Sequence, residues 1–91
     1  MQKGLAHDDE RSDMHNMMGV CSYKLDNFSK AVDHFTRAVE LAPSSAIDYA
    51  NLGVNYRKLN DKDQAIKNFE TALALDPTIE FAQTQLAELQ E

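Results

Sequence analysis

A chain of 91 residues is one domain at most, and its 43% apolar and 26% charged residues, with few glycines and prolines, suit a globular or helical-repeat protein rather than a disordered one. The net charge of −6 argues against non-specific nucleic-acid binding, which needs clustered Lys and Arg on phosphates. Cys21 is the only cysteine, so no intramolecular disulfide forms and a reducing compartment is the default; no apolar run approaches the roughly 20 residues of a membrane helix, so no membrane insertion is expected.

The chain opens on Met1-Gln2-Lys3-Gly4-Leu5, without the apolar stretch of a secretory signal. The first predicted helix covers 12–25 and carries Met18, Gly19 and Val20 near its middle. The second covers 28–41, with Ala31, Phe35 and Ala38 at the three-and-four spacing of one helix face. Pro43 stops it, because proline cannot continue the hydrogen-bond ladder. The third, 46–59, places Tyr49, Leu52, Gly53 and Tyr56 on one face. A polar break, Leu59-Asn60-Asp61-Lys62, precedes a fourth helix over 62–75 with Ala65, Phe69 and Ala72, stopped by Pro77. Asp61 is placed to N-cap this fourth helix, with Gln64 as its capping-box partner. Asn27 holds the equivalent place before the second helix, and Ser44 or Ser45 is placed to cap the third. Asp76 and Pro77 fit the cap and first position of a fifth helix over 78–89. Phe81, Leu86, Ala87 and Leu89 are among its apolar residues, and Gln83, Gln85 and Glu88, with Gln90 and Glu91 just beyond it, are polar.

Displaced by 34 residues, 12–45 lies over 46–79 without a gap. Gly19 meets Gly53, Val20 Val54, Lys24 Lys58, Leu25 Leu59, Ala31 Ala65, Phe35 Phe69, Ala38 Ala72, Leu41 Leu75 and Pro43 Pro77. A fixed period of this length is the mark of a helical repeat. Each unit is a pair of helices that cannot hide its apolar face alone, so successive pairs must stack. A mid-helix glycine costs about 1 kcal/mol relative to alanine, so Gly19 and Gly53 mark a close approach of the partner helix. Ala31 and Ala65 are expected across from them, with Phe35 and Phe69 filling the wider part of the gap and Met18 in the core.

These residues resemble the tetratricopeptide repeat (TPR). The family pattern sets Trp, Leu, Gly and Tyr on helix A, Ala, Phe and Ala on helix B, then Pro. The second unit supplies Tyr49, Leu52, Gly53, Tyr56, Ala65, Phe69, Ala72 and Pro77; the first supplies His15, Met18, Gly19, Ser22, Ala31, Phe35, Ala38 and Pro43. His15 and Ser22 depart from the pattern, which implies looser packing of the first helix A. The resemblance implies an all-α fold, a right-handed superhelix of helical hairpins. Its repeats are 12–45 and 46–79, and 80–91 forms a C-terminal solvating helix with a polar outer face. Residues 3–10 fall in register with 37–44, so 1–11 reads as the tail end of a preceding repeat helix, and the chain as a piece of a longer repeat protein.

In this family the A helices line a concave groove for extended peptides or partner helices. Carried over position by position, the groove residues are Asn16, Met17, Val20 and Lys24, then Asn51, Val54, Arg57 and Lys58, and Gln85 from the last helix. Asp13, Tyr23, Ile47, Ala50, Phe81, Thr84 and Glu88 stand beside them. Asn51 is the leading single residue, since its amide both donates and accepts and so can pair with a ligand's backbone. Lys24, Arg57 and Lys58 would gather on one rim, where Arg57 is suited to a carboxylate, although cations at a helix C-terminus also complement its dipole. A subgroup of the family clamps the C-terminal carboxylate of chaperone tails. It needs lysine where this chain has Asn16, asparagine where it has Val20 and cations where it has Phe81 and Gln85; only Asn51 could fit, so a chaperone clamp is not expected.

Met14, Met17 and Met18 cluster on the first helix; flexible methionines suit an adaptable surface or a core. His7, His15, His34 and Cys21 have no pair at the spacing of a helical metal site, and no metal is expected. Cys21 falls where the family packs small residues, and a buried thiol is inert. No phosphate-cradling glycine loop is present, and no cofactor is expected. The functional expectation is a non-enzymatic scaffold or adaptor that binds an unidentified protein or peptide in the A-helix groove, located in the cytoplasm. The alternatives are a self-associating assembly module joined through exposed repeat ends, and an accessory interaction domain of a larger protein.

Overall fold

A computed structural model describes the backbone from Gln2 and the side chains from Ser12 to Glu91. The reading of residues 1–11 as the tail of a preceding repeat helix rests on side chains outside the described residues; the backbone from Gln2 is continuous with the helix expected over 12–25. The elements are α1 (Gln2–Lys24), α2 (Phe28–Leu41), α3 (Ala46–Lys58), α4 (Lys62–Leu75) and α5 (Glu80–Leu89), with no strand among the described residues. The two hairpins, α1 with α2 and α3 with α4, stack so that α2 lies on α3 and α4 on α5. The helices α3 and α5 also touch, which sets the A-type helices along one side.

The connection inside each hairpin is the same turn used twice. Asp26 and Asn60, 34 residues apart, both take left-handed backbone, with φ of 60° and 64°. Asp and Asn tolerate this conformation better than other non-glycine residues. Beyond them, the Asn27 N–H reaches back to the Ser22 carbonyl at 2.8 Å, and the Asp61 N–H to the Tyr56 carbonyl at 2.9 Å. Each bond is the shorter of two to a helix-end carbonyl, the other coming from the Leu25 or Leu59 N–H.

The expected caps are met unevenly. Asp61 does cap α4, its carboxylate accepting from the Gln64 N–H at 3.3 Å. Asn27 and Ser45 occupy cap positions but make no side-chain cap bond. Asp76 does not open α5. It is the C-cap of α4, and its carboxylate accepts from the Thr78 N–H at 3.0 Å and the Thr78 hydroxyl at 2.6 Å. That local turn holds Pro77 and Thr78 outside the helix, so α5 starts at Glu80 with Ile79 as its cap. The Thr78 hydroxyl, then its N–H, hold the Asp76 carboxyl below its ordinary value.

The core is alanine and phenylalanine. Ala31, Ala38, Ala50, Ala65, Ala72 and Ala82 are fully buried, and Phe35 and Phe69 are the largest side chains removed from water. Each ring contributes about 1.5–3 kcal/mol by its burial. The residue facing each glycine is a phenylalanine and not the expected alanine. A Cβ at Gly19 would come to 2.8 Å of the Phe35 ring, and one at Gly53 to 2.8 Å of the Phe69 ring. The phenylalanine of helix B therefore rests on the bare backbone of helix A, and this contact is the close approach that the glycines permit. The first hairpin is further tied by the buried Ser12, whose hydroxyl donates to the Ala38 carbonyl at 3.3 Å.

Two expectations for α1 are corrected. Met18, assigned to the core, is 39% exposed, and Cys21, assigned to a packed position, is exposed. No described helix packs on the side of α1 that carries them.

Gly53→Leu should lose about 1–3 kcal/mol, because the added side chain must displace a buried ring. Lys67→Ala, on the exposed side of α4, should change stability by less than about 0.5 kcal/mol. Urea denaturation midpoints compare the two, and equal losses would contradict the Gly–Phe packing.

Candidate functional site

Three A-type helices present side chains to a common groove. At one end a hollow of about 340 Å³ is walled by Val20, Tyr23 and Lys24 of α1, by Asn51, Val54 and Asn55 of α3, and by Phe81 and Gln85 of α5, with Phe35 behind them. A second hollow of about 640 Å³ adjoins it, lined by Tyr23, Val54, Arg57, Lys58, Asn60, Thr84, Gln85 and Glu88. Tyr23, Val54 and Gln85 belong to both, so the two form one continuous depression. Its first part is mainly apolar, with Lys24 as its charged side chain, and its second part carries Arg57, Lys58 and Glu88.

The structure thus brings Val20, Lys24, Asn51, Val54, Arg57, Lys58 and Gln85 to one groove. Asn16 and Met17 are not among its lining residues. The Asn16 amide donates to Asp48, a carboxylate only 3% exposed that also accepts from the Ser45 hydroxyl at 2.7 Å. Asn16 is therefore committed to joining α1 to α3. Met17 turns to a separate hollow with Met14, Met18 and Cys21. Ala50 is fully buried and presents nothing to a ligand.

Polar groups within the groove differ in what holds them. The half-buried Asn51 amide makes no hydrogen bond among the described residues, while its backbone carbonyl accepts from the Asn55 amide at 2.8 Å. Asn55 is 1% exposed, and its Oδ1 has no hydrogen-bond partner. Arg57 is already paired. Its guanidinium donates to Glu88 at 2.8 Å and to Gln85 at 3.3 Å, both on α5. The pair is part-exposed, so it contributes little to stability. The Lys58 ammonium sits 6.0 Å from the centre of the Phe28 ring, which packs edge-on against Tyr23.

Asn55 and Phe35 were missing from the sequence-based groove. Phe35 read as core, and Asn55 has a cysteine at its equivalent place, so no repeated signal marked it. The structure also brings the His15 and His34 rings to 5.8 Å, a meeting that sequence spacing could not show. No group of three or more His, Cys, Asp or Glu suited to a metal ion is present among the described residues. No helix of the described residues is long and apolar enough to cross a membrane.

The family model described as tetratricopeptide repeat matches residues 10–78. The chain is 34% identical over 80 residues to Protein O-mannosyl-transferase F38B6.6 of Caenorhabditis elegans, covering 88% of this chain and 12% of that protein. It therefore spans about an eighth of that relative's length. Among solved structures, the first TPR of Spaghetti (RPAP3) bound to HSP90 peptide SRMEEVD matches with a TM-score of 0.86 and 24% identity, over 98% of this chain and 71% of that one. The second TPR of the same protein, bound to the same peptide, matches with a TM-score of 0.80 and 20% identity, over 96% of this chain and 87% of that one. At these identities the likeness is one of fold.

The two asparagines should separate in a stability measurement. Asn16→Ala leaves the buried Asp48 carboxylate one donor short and should cost about 1–3 kcal/mol. Asn51→Ala breaks no side-chain hydrogen bond among the described residues and should stay within about 0.5 kcal/mol. Thermal melts of both variants compare the losses; a large loss at Asn51 alone would reverse the assignment.

Proposed function

We propose that this chain, which belongs to the tetratricopeptide-repeat family, is a peptide- or protein-binding scaffold whose ligand lies extended along the groove between α1, α3 and α5. The observation that carries this reading is the groove itself, with the Asn51 amide on the wall of its first hollow and making no hydrogen bond among the described residues. An amide held at a groove wall without an internal partner can give and accept one hydrogen bond each to a ligand's peptide unit. Val20, Tyr23, Val54 and Phe81 supply apolar wall for a side chain entering the first hollow. Lys24, Arg57 and Lys58 favour acidic groups, with Arg57 exchanging Glu88 for a ligand carboxylate of the same geometry. The reading assigns no catalytic group to any of these residues.

Both RPAP3 domains are described as bound to an HSP90 peptide. For this chain we favour a different ligand. The resemblance implies that a carboxylate clamp needs lysine at the place held here by Asn16, asparagine at that of Val20 and cations at those of Phe81 and Gln85. Asn16 is moreover engaged with Asp48.

Selection from a phage-displayed library of random peptides, followed by fluorescence titration of the recovered sequences, tests the reading. Asn51→Ala with Arg57→Ala should weaken binding at least tenfold, equivalent to about 1.4 kcal/mol. Lys67→Ala with Glu70→Ala, on exposed positions of α4, should leave it unchanged. Added salt should weaken the Arg57 contribution more than that of Asn51, because charges at the rim are screened. Full affinity in the groove variant with loss in the α4 variant would overturn the assignment.

A further inference from the structure

Two polar side chains of α3 are removed from water, and they are satisfied to different degrees. The Asp48 carboxylate, 3% exposed, accepts from the Asn16 amide and from the Ser45 hydroxyl. Asn55, 1% exposed, uses only its Nδ2, which donates to the Asn51 carbonyl at 2.8 Å; its Oδ1 has no hydrogen-bond partner among the described residues. That bond also fixes which end of the amide is which, since a carbonyl oxygen accepts only from the NH2 end. The unmet atom is therefore an acceptor, and burial makes it costly to leave unpaired. The repeat does not require it: 34 residues before and after Asn55 stand Cys21 and Leu89, which bring no amide. Asn55 also lines the first hollow of the groove, with Val20, Tyr23, Val54 and Phe81 beside it and Phe35 behind.

We propose that the first hollow is a specificity pocket for a tyrosine side chain of the ligand, whose phenol O–H donates to the Asn55 Oδ1. The proposal rests on the reading of the groove as a peptide site and names the side chain that this site selects. The walls suit an aromatic body: Tyr23, Phe35 and Phe81 are rings, and Val20 and Val54 are apolar, around a volume of about 340 Å³. The acceptor requires a donor at the far end of that body, because Asn55 and Phe35, each 1% exposed, form the most deeply buried part of the lining. Serine and threonine are too short to cover the walls and reach that depth. Tryptophan carries its N–H on the flank of the ring and not at its tip. A lysine ammonium would enter beside Lys24 and give up its water for a single neutral acceptor. Phenylalanine would fill the hollow and leave the oxygen unmet, and that difference is the source of selection. Because Asn55 is closed to solvent, the phenol reaches it as a wall side chain turns aside; Tyr23 and Phe81, each 37% exposed, are the more exposed rings of the wall.

The test uses the full 91-residue chain and p-cresol, the tyrosine side chain as a free molecule. Toluene and 4-methylanisole keep the ring and its methyl group; the first lacks the oxygen, and the second keeps the oxygen without its proton. With isotope-labelled nitrogens and valine and methionine methyls, p-cresol should move the Val20 and Val54 methyl signals and the Asn55 side-chain N–H signals. The shifts should saturate over concentrations up to about 5 mM, the range suited to so small a ligand. Toluene and 4-methylanisole should each bind at least about fivefold more weakly, the effect of one net hydrogen bond. Asn55→Leu should level the three affinities; circular dichroism checks its fold, and the comparison of the three compounds on the unaltered chain stands without it. The proposal is overturned if toluene or 4-methylanisole binds as well as p-cresol. It is also overturned if p-cresol leaves the signals of the hollow unmoved, or moves only the Met14 and Met17 methyls of α1. Overturned in any of these ways while Asn51→Ala with Arg57→Ala still weakens the selected peptides, it falls alone. If p-cresol binds through Asn55 but that double variant leaves peptide binding unchanged, the phenol pocket stands and the peptide reading of the groove falls instead.

Discussion

The phenylalanine ring lying on a glycine backbone sets the spacing of each hairpin, and the remaining geometry follows from it. At both Gly19 and Gly53 the ring lies where even a single added carbon would collide. Because the helices come this close, alanine fills the rest of the contact, and the core consists of small residues around two large ones. Interiors pack nearly as densely as crystals, so spacing set at one point is transmitted to neighbouring elements. Phe35 makes this coupling direct: it packs on Gly19, joins the cluster with Leu52 of the next hairpin, and lies behind the groove.

Polar contacts between the hairpins divide by burial. The Asn16–Asp48–Ser45 set links α1, the loop before α3, and α3 where water is largely excluded. A carboxylate there needs every donor it has, since desolvation makes an unpaired charge costly. The Arg57–Glu88 pair ties α3 to α5 at the part-exposed rim, where solvent competes for both partners. The first set therefore belongs to the fold, while the second contributes little to it. Residues chosen from one helix pattern thus divide into structural and available groups according to what lies opposite them.

The repeat is symmetric in sequence and asymmetric in environment. Equivalent positions on α1, α3 and α5 carry the same face, yet it is covered on α3 and α5 and open on α1. The residue choices accord with this. The covered faces carry a buried Leu52 or Ala82, and the open one carries flexible methionines and a thiol.

The 34-residue period, with glycine, alanine, phenylalanine and proline recurring in phase, determined the helical hairpins, their order and most of the groove. Helix periodicity fixes which residues share a face, and stacking fixes which faces meet. The period also located the turns at Asp26 and Asn60, although not their left-handed backbone. Three things required the folded chain. The partner of each glycine is the ring and not the alanine, because distance across a helix pair depends on side-chain direction as well as spacing. Asn16 and Arg57 lay on the expected side of their helices, but Asp48 and Glu88, brought from elsewhere in the chain, decided that both were already engaged. The start of α5 moved because Asp76 found a nearer donor in Thr78 than any helix N–H. A periodic pattern specifies faces and leaves pairings open, since a hydrogen bond depends on which atoms the fold brings within about 3 Å of each other.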